Sequence, residues 1–351
     1  MQHPIHHPHS PFRIFAFSAL ATIAALTGVF IGRGAGGMII ALVLIAVEVA
    51  FSFDNAILNA KVLAKMSTFW QNMFLTVGAM IAVFGMRIVF PILIVSLTAG
   101  ISWHAVLDMA LHHPALYAEE LEKAHPALSA FGGAFLLILA IDFFVDDEQE
   151  VMWLTRLERN FRKLATNWAP PLITALMVII VALLPFNHHG KVTVVAGMAG
   201  ILVYSAIHGL TEVFGRIQKR NMKTVKTATH VGMAALVSFL YLEVLDATFS
   251  FDSVLGAFAV TTDVILIAIG LGVGALWVRS LTIFMVRRGT LNNYKFIEHG
   301  AHYTIFALAC ILFLSIFTTV PELITGLVGI SIIISSIIAS RQAMTASKQS
   351  V

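Results

Sequence analysis

The residues whose types and spacing could do chemistry fall in two short, related phrases. Residues 48–58 read EVAFSFDNAIL and residues 246–256 read DATFSFDSVLG. In each, an acid (Glu48 or Asp246) precedes Phe-Ser-Phe-Asp, so a second acid (Asp54 or Asp252) stands six residues on, followed by Asn55 or Ser253. On a regular helix Glu48, Ser52, Asn55 and Asn59 fall at i, i+4, i+7 and i+11, which is one face, and Asp246, Ser250 and Ser253 repeat the first three positions. Glu243 lies one turn before Asp246 and extends the second stripe; the first has Ile45 there. Both phrases sit inside long apolar stretches, where carboxylates are costly to hold and mark function.

Four carboxylates with Asn and Ser oxygens form a hard, oxygen-only donor set. Such a set suits Mn²⁺, Ca²⁺ or Mg²⁺ better than Cu⁺ or Zn²⁺. Clustered in a low dielectric, the acids cannot all stay ionised when the metal leaves, so some take up protons, and exchange of a divalent cation for protons follows naturally. Asp54 and Asp252 stand about 120° off the stripe. Either they face a neighbouring helix, meeting Arg87 or Arg279, or the helix unwinds at Ser-Phe-Asp, which turns them inward and frees backbone carbonyls as ligands. The two arginines admit two readings as well: counter-ions that make an empty site tolerable, or structural pairs, such as Glu48 or Asp54 with Arg87 and Asp252 with Arg279, that lock helices together.

These residues need elements to position them, and the composition says which. Of 351 residues, 58% are hydrophobic and 12% charged, about half the charge of a soluble domain. The fold expected is all-α, a polytopic membrane helix bundle. Ten apolar intervals of spanning length lie near 12–31, 36–58, 72–98, 128–145, 169–187, 191–209, 231–257, 263–286, 300–318 and 321–340. With the N-terminus in the cytoplasm, seventeen of the 22 Lys and Arg residues fall in inside segments, three (Arg33, Lys123, Lys191) outside, and Arg87 and Arg279 within spans. That bias predicts an even span count with both termini cytoplasmic in a bacterial inner membrane. It also accounts for the net charge of +3 without a nucleic-acid partner. A single cysteine, Cys310, excludes an intrachain disulfide and a thiolate cluster. No Gly-rich phosphate loop, HExxH or GxSxG occurs, so an enzyme is not expected, nor a prosthetic cofactor.

Residues 1–11 read as a disordered His/Pro-rich leader, 12–340 as one transmembrane domain and 341–351 as a cytoplasmic tail. Each acidic phrase is followed by a span with a related ending, GAMIAVFGMR at 78–87 and GLGVGALWVR at 270–279, in which the arginine stands nine positions after the leading glycine. A third apolar span follows each. A duplicated three-helix unit is therefore expected, over about 36–145 and 231–318, and the charge count makes the copies inverted, an arrangement that places a transporter's site where the repeats meet. The outside loop 99–127 reads as a solvated surface helix. The inside loop 146–167 reads as a helix on the membrane surface, with Trp153 and Trp168 at interfacial depth. His208, Glu212, Glu298, His299 and His302 read as polar helix ends or a vestibule.

EVAFSFDNA at 48–56, DATFSFDSVLGAFAVTTD at 246–263 and the later Arg279 resemble the TerC family of membrane proteins, associated with tellurium resistance and manganese export. The resemblance covers the repeat units, about half of the chain. It implies an export role and carries metal coordination onto Glu48, Asp54, Asp246 and Asp252, with Asn55 and Ser253 beside them; the helical stripes and the paired arginines themselves place Ser52, Ser250, Glu243, Arg87 and Arg279 in support. Leu255 and Val264 stand where that family carries prolines, and Ile269, Gly270 and Leu271 replace a polar run, which marks a divergent branch. The function expected is a secondary transporter that moves a divalent metal cation, Mn²⁺, out of the cytoplasm against protons. Its rival is a non-transporting scaffold or metal-sensing assembly factor linked to metal or tellurite stress. Neither reading excludes a homo-oligomer.

Overall fold

The computed structural model describes residues 11–146, 151–163, 166, 168–221, 232–289, 294–318 and 320–349. The leader 1–10 and much of the basic stretch after 221 lie outside the described residues. Among those described, the chain is helical throughout, with no strand. Eight helices are long and apolar enough to cross a membrane, and a shorter apolar one covers Ala169–Leu183.

The first of the eight, Ile14–Ala50, has 37 residues and would measure about 55 Å if straight, nearly twice the hydrocarbon thickness. It is not straight. Helix α1 (Pro11–Phe51) turns at Gly34, whose φ of 70° and ψ of −168° lie in a region open essentially to glycine alone. Contacts with α11 (Val264–Arg288) show the reversal. Before the turn, Ser18 meets Ser280 at 2.8 Å, Thr22 accepts the Trp277 indole N–H at 2.9 Å, and Arg33 pairs with Asp263. After it, Leu44 lies against Gly270 and Glu48 against Gly274. One arm runs against α11 and the other along it, so each of the ten expected intervals holds an apolar helical segment.

The chain divides into two compact units. The first is drawn from residues up to 119 and from 228–293. It holds α1 and α11, then α2 (Phe53–Ala64), α3 (Thr68–Met73), α4 (Phe90–Ala99), α5 (Trp103–His112), the start of α6 (Pro114–Val145) and α10 (Gly232–Phe258). Between α3 and α4 the helix is widened into π-helical segments at Phe74–Gly78 and Ile81–Val89. The second has a local cause. Pro91, at the start of α4, has no N–H to give the Arg87 carbonyl, and its ring crowds that carbonyl. Leu63, Met66, Phe74, Phe239, Leu242 and Ile283 form the core at one end of this unit. α11 is fixed at both ends: Asp263 accepts the N–H groups of Ile265 and Leu266 at 3.0 and 3.1 Å, and Gly289 closes the helix in the left-handed conformation.

The second unit holds the rest of α6, α7 (Thr155–Arg162), α8 (Ala169–Leu183), α9 (Gly190–Asn221), α12 (Ile297–Ser315) and α13 (Glu322–Gln349). α6 and α12 pack on each other at Gly133 and through Ser315 to Ser129 at 3.1 Å. The loop expected over 99–127 is α5 plus the first turns of α6, which continues unbroken through Pro126. The expected tail is the end of α13 as far as Gln349.

Candidate functional site

Glu48 and Ser52 close the second arm of α1, and Asn55 and Asn59 lie on α2; all four are buried. Ser52, with φ −92° and ψ 17°, departs from helical geometry, yet its N–H still reaches the Glu48 carbonyl at 3.0 Å and its carbonyl still takes the Ala56 N–H at 3.1 Å. The break is therefore one residue wide. At the second phrase α10 runs as continuous helix from Gly232 to Phe258. The unwinding weighed for Ser-Phe-Asp is thus confined to Ser52 in the first phrase and does not occur in α10, where an apolar layer would offer freed backbone groups no other partner. The side chains of Asp54 and Asp252 lie outside the described residues.

The two polar stripes meet. Asn55 Nδ2 donates to Asp246 Oδ1 at 3.0 Å, and Arg279 Nη2 donates to Asp246 Oδ2 at 3.0 Å. Arg279 also grips Glu243 through both terminal nitrogens, at 3.2 and 3.1 Å. The Phe74 carbonyl accepts from Arg279 Nη1 at 3.2 Å, and the Phe74 ring lies 4.1 Å beneath the guanidinium. Gly78 makes room for this: a Cβ there would stand 2.5 Å from Arg279 Nη1 and 2.8 Å from Glu243 Oε1. In the first stripe Arg87 pairs with Glu48, whose Oε1 also accepts the Ser52 hydroxyl at 3.2 Å. Gly274 does for Glu48 what Gly78 does for Arg279, since its Cβ would fall 2.6 Å from Glu48 Cβ.

Both arginines are thus ion-paired, Arg87 with Glu48 and Arg279 with Glu243 and Asp246, and all five side chains are buried. Breaking such a pair on one side leaves a buried charge uncompensated. The network is nonetheless incomplete. Glu48 Oε2, Asn59 Oδ1, Ser250 Oγ, Arg87 Nε and Arg279 Nε are buried polar atoms with no hydrogen-bond partner among the described residues, and groups of that kind call for a further polar group, an ion or a water. Ser253 is buried on α10 beside Ser250. Among the described residues no three His, Cys, Asp or Glu side chains converge as a metal cage.

Sequence reasoning missed Phe74. Nothing distinguishes it from the other phenylalanines of the chain, since its part in the site comes from a main-chain carbonyl and a ring face. The polar helix ends of the second unit serve locally. His208 lies 3.5 Å from Asp142, His302 stacks on Phe143 with centroids 3.6 Å apart, and His299 Nε2 meets the Val151 carbonyl at 2.9 Å.

Long apolar helices around buried, partly paired carboxylates define a multi-pass membrane protein of the all-α helix-bundle class. Within that class the chain belongs to DUF475, a family of proteins of unknown function whose model matches residues 53–346. The match opens next to the Ser52 break and takes in the whole second phrase. No curated protein and no solved structure matches the chain.

Proposed function

We propose that this protein is a secondary transporter, not an enzyme, that exports a divalent cation, Mn²⁺, from the cytoplasm across the bacterial inner membrane in exchange for protons. One observation carries the reading: the Asn55–Asp246 hydrogen bond joins the two acidic helices inside an apolar layer, in a network whose buried oxygens Glu48 Oε2, Asn59 Oδ1 and Ser250 Oγ have no partner among the described residues. Glu48, Asp54, Asn55, Asp246, Asp252 and Ser253 would hold the cargo, and Arg87 and Arg279 would neutralise the acids between cycles. Three described carboxylates face two guanidiniums, an excess of negative charge that a bound cation would offset. The inverted three-helix repeat expected from the two phrases and the charge bias expected from the sequence accord with a transporter that has both termini cytoplasmic. The resemblance to TerC proteins agrees with export.

The test is flux in proteoliposomes that enclose a Mn²⁺-quenched fluorophore. Wild-type protein should quench it when a pH gradient is imposed, and D246N should not. Wild-type vesicles that stay bright under either gradient polarity would overturn the proposal.

A second reading, a non-transporting scaffold or metal-sensing assembly factor, is favoured by a specific observation. Every acid of the site whose side chain is described already faces an arginine, as a structural lock requires. That reading predicts no flux and a loss of assembly in the same variant.

A further inference from the structure

Helix α7, between α6 and α8, is rich in arginine and carries one acid, Glu158, which is buried. Glu158 accepts the backbone N–H of Leu154 at 3.0 Å and that of Trp153 at 3.2 Å. It also takes the Tyr303 hydroxyl at 3.0 Å and lies 3.5 Å from His299 Nε2, both on α12. Trp153 packs edge-on against Tyr303, and Phe161 stacks on Phe144 of α6. The acid is therefore a pin that fixes the short helix to the start of α12, while Phe161 holds it to the end of α6.

On α7 and the residue after it, the exposed charges are of one sign, although the preceding stretch 146–150 is acidic. Arg156, Arg159 and Lys163 are exposed and stand at i, i+3 and i+7, one stripe of the helix. Leu154 and Leu157, each 45% exposed, stand on the opposite side with Phe161. The ends of α6 and α8 set the depth of this segment at the membrane boundary, and Trp168, at the start of α8, is 80% exposed there. A pinned helix with a cationic stripe, an apolar edge and a neighbouring free indole matches the headgroup layer of a bilayer that carries negative lipid.

We propose that α7 and Trp168 form a binding site for anionic phospholipid. Arg156, Arg159 and Lys163 hold the headgroup phosphates, Leu154 and Leu157 enter the acyl boundary, and Glu158 keeps the stripe in register with the surface. The inference is independent of the transport reading.

It is tested on the full chain in nanodiscs of mixed phosphatidylglycerol and phosphatidylcholine, by mass spectrometry of retained lipid and by the unfolding midpoint. Three basic residues at the surface correspond to an enrichment of phosphatidylglycerol on the order of tenfold to a hundredfold. The wild type should show it, together with a higher midpoint in phosphatidylglycerol. R156Q/R159Q/K163Q should lose both, and the control R287Q/R288Q/K295Q should keep them. Equal loss in both triples would overturn the site in favour of bulk charge. Tighter retention of a soluble polyanion such as RNA would overturn the lipid assignment. If the first triple does not fold, salt decides on the wild type alone. The Debye length falls from about 10 Å at 0.1 M to about 3 Å at 1 M, so the enrichment should collapse, and enrichment indifferent to salt would sink the site.

Discussion

Asn55 on α2 and Asp246 on α10 are joined at 3.0 Å, although 191 positions separate them in the chain. The bond ties the first acidic phrase to the second and leaves Asp246 only its other oxygen for Arg279. Replacing Asn55 by Ala should cost about 1–3 kcal/mol, since a buried acceptor then goes unsatisfied. Mn²⁺ flux in vesicles should fall with it. N55D keeps the shape but sets a carboxylate against a carboxylate, so it should impair flux at least as much as N55A. Flux unchanged in both variants would separate this contact from transport.

The Glu48–Arg87 pair separates a lock from a working site. Removing one partner, as in R87M, should destabilise by about 3–5 kcal/mol, while removing both, in E48M/R87M, should recover much of that loss. Thermal unfolding of the single and double variants measures it. Under the transport proposal the double variant regains stability and stays without flux; a double variant that regains both would make the pair purely structural.

Gly274 and Glu48 are in closest approach, and a Cβ at 274 would stand 2.6 Å from Glu48 Cβ and 2.7 Å from its Cγ. G274A should lower stability by about 1–3 kcal/mol through overpacking, and G274V by more. Gly28, where a Cβ meets nothing within 4 Å, should tolerate Ala. The measurement is a pair of unfolding midpoints in the same detergent.

At Gly34 the constraint is conformational, not steric, since its surroundings are open. G34A should cost on the order of 1–3 kcal/mol for a side chain held in that backbone region. A crosslink between residues engineered at 18 and 280 would report whether the hairpin survives.

Asp263 gives a pH dependence. Partial burial raises its carboxyl pKa, but the Arg33 guanidinium and the N–H groups of Leu266 and Ile265 outweigh this and hold it below the ordinary value of 3.8. The folded value is depressed, so its contribution is complete above the unfolded value and fades as pH falls through the folded one. The wild-type midpoint should therefore drop more than that of D263N between neutral pH and pH below 3.8. Parallel curves would show that the cap and ion pair contribute nothing.

Much of this architecture was legible in the residues. Apolar length placed ten helical segments, and the stripe at 48, 52, 55 and 59 put the polar residues of the first phrase on one buried face. The arginines at 87 and 279 were tied to the acids through the shared glycine spacing, but which acid each would meet was not. The sequence offered Glu48 or Asp54 to Arg87 and Asp252 to Arg279; the described pairs are Glu48 with Arg87, and Glu243 and Asp246 with Arg279. The single-residue break at Ser52 was overestimated, because local competition by Ser and Asp for backbone bonds is weaker than the need of an apolar layer to keep those bonds closed. Glu158 looked like one more charge on a surface helix; only the packing of α12 turns it into an anchor.

The widened stretch Ile81–Val89 has a genetic consequence. A π-turn accommodates one surplus residue relative to the ordinary spiral. Deleting one position there would let the coil tighten into an ordinary helix while the residues upstream keep their phase relative to those after Pro91, whereas the same deletion in the regular helix α4 has no surplus to absorb it and would rotate everything upstream by about 100°. Codon deletions at 81–86, 88 or 89 should therefore leave Arg87 able to face Glu48, while deletions at 92–99 would mis-phase the two sides of the helix with all the participating side chains still encoded.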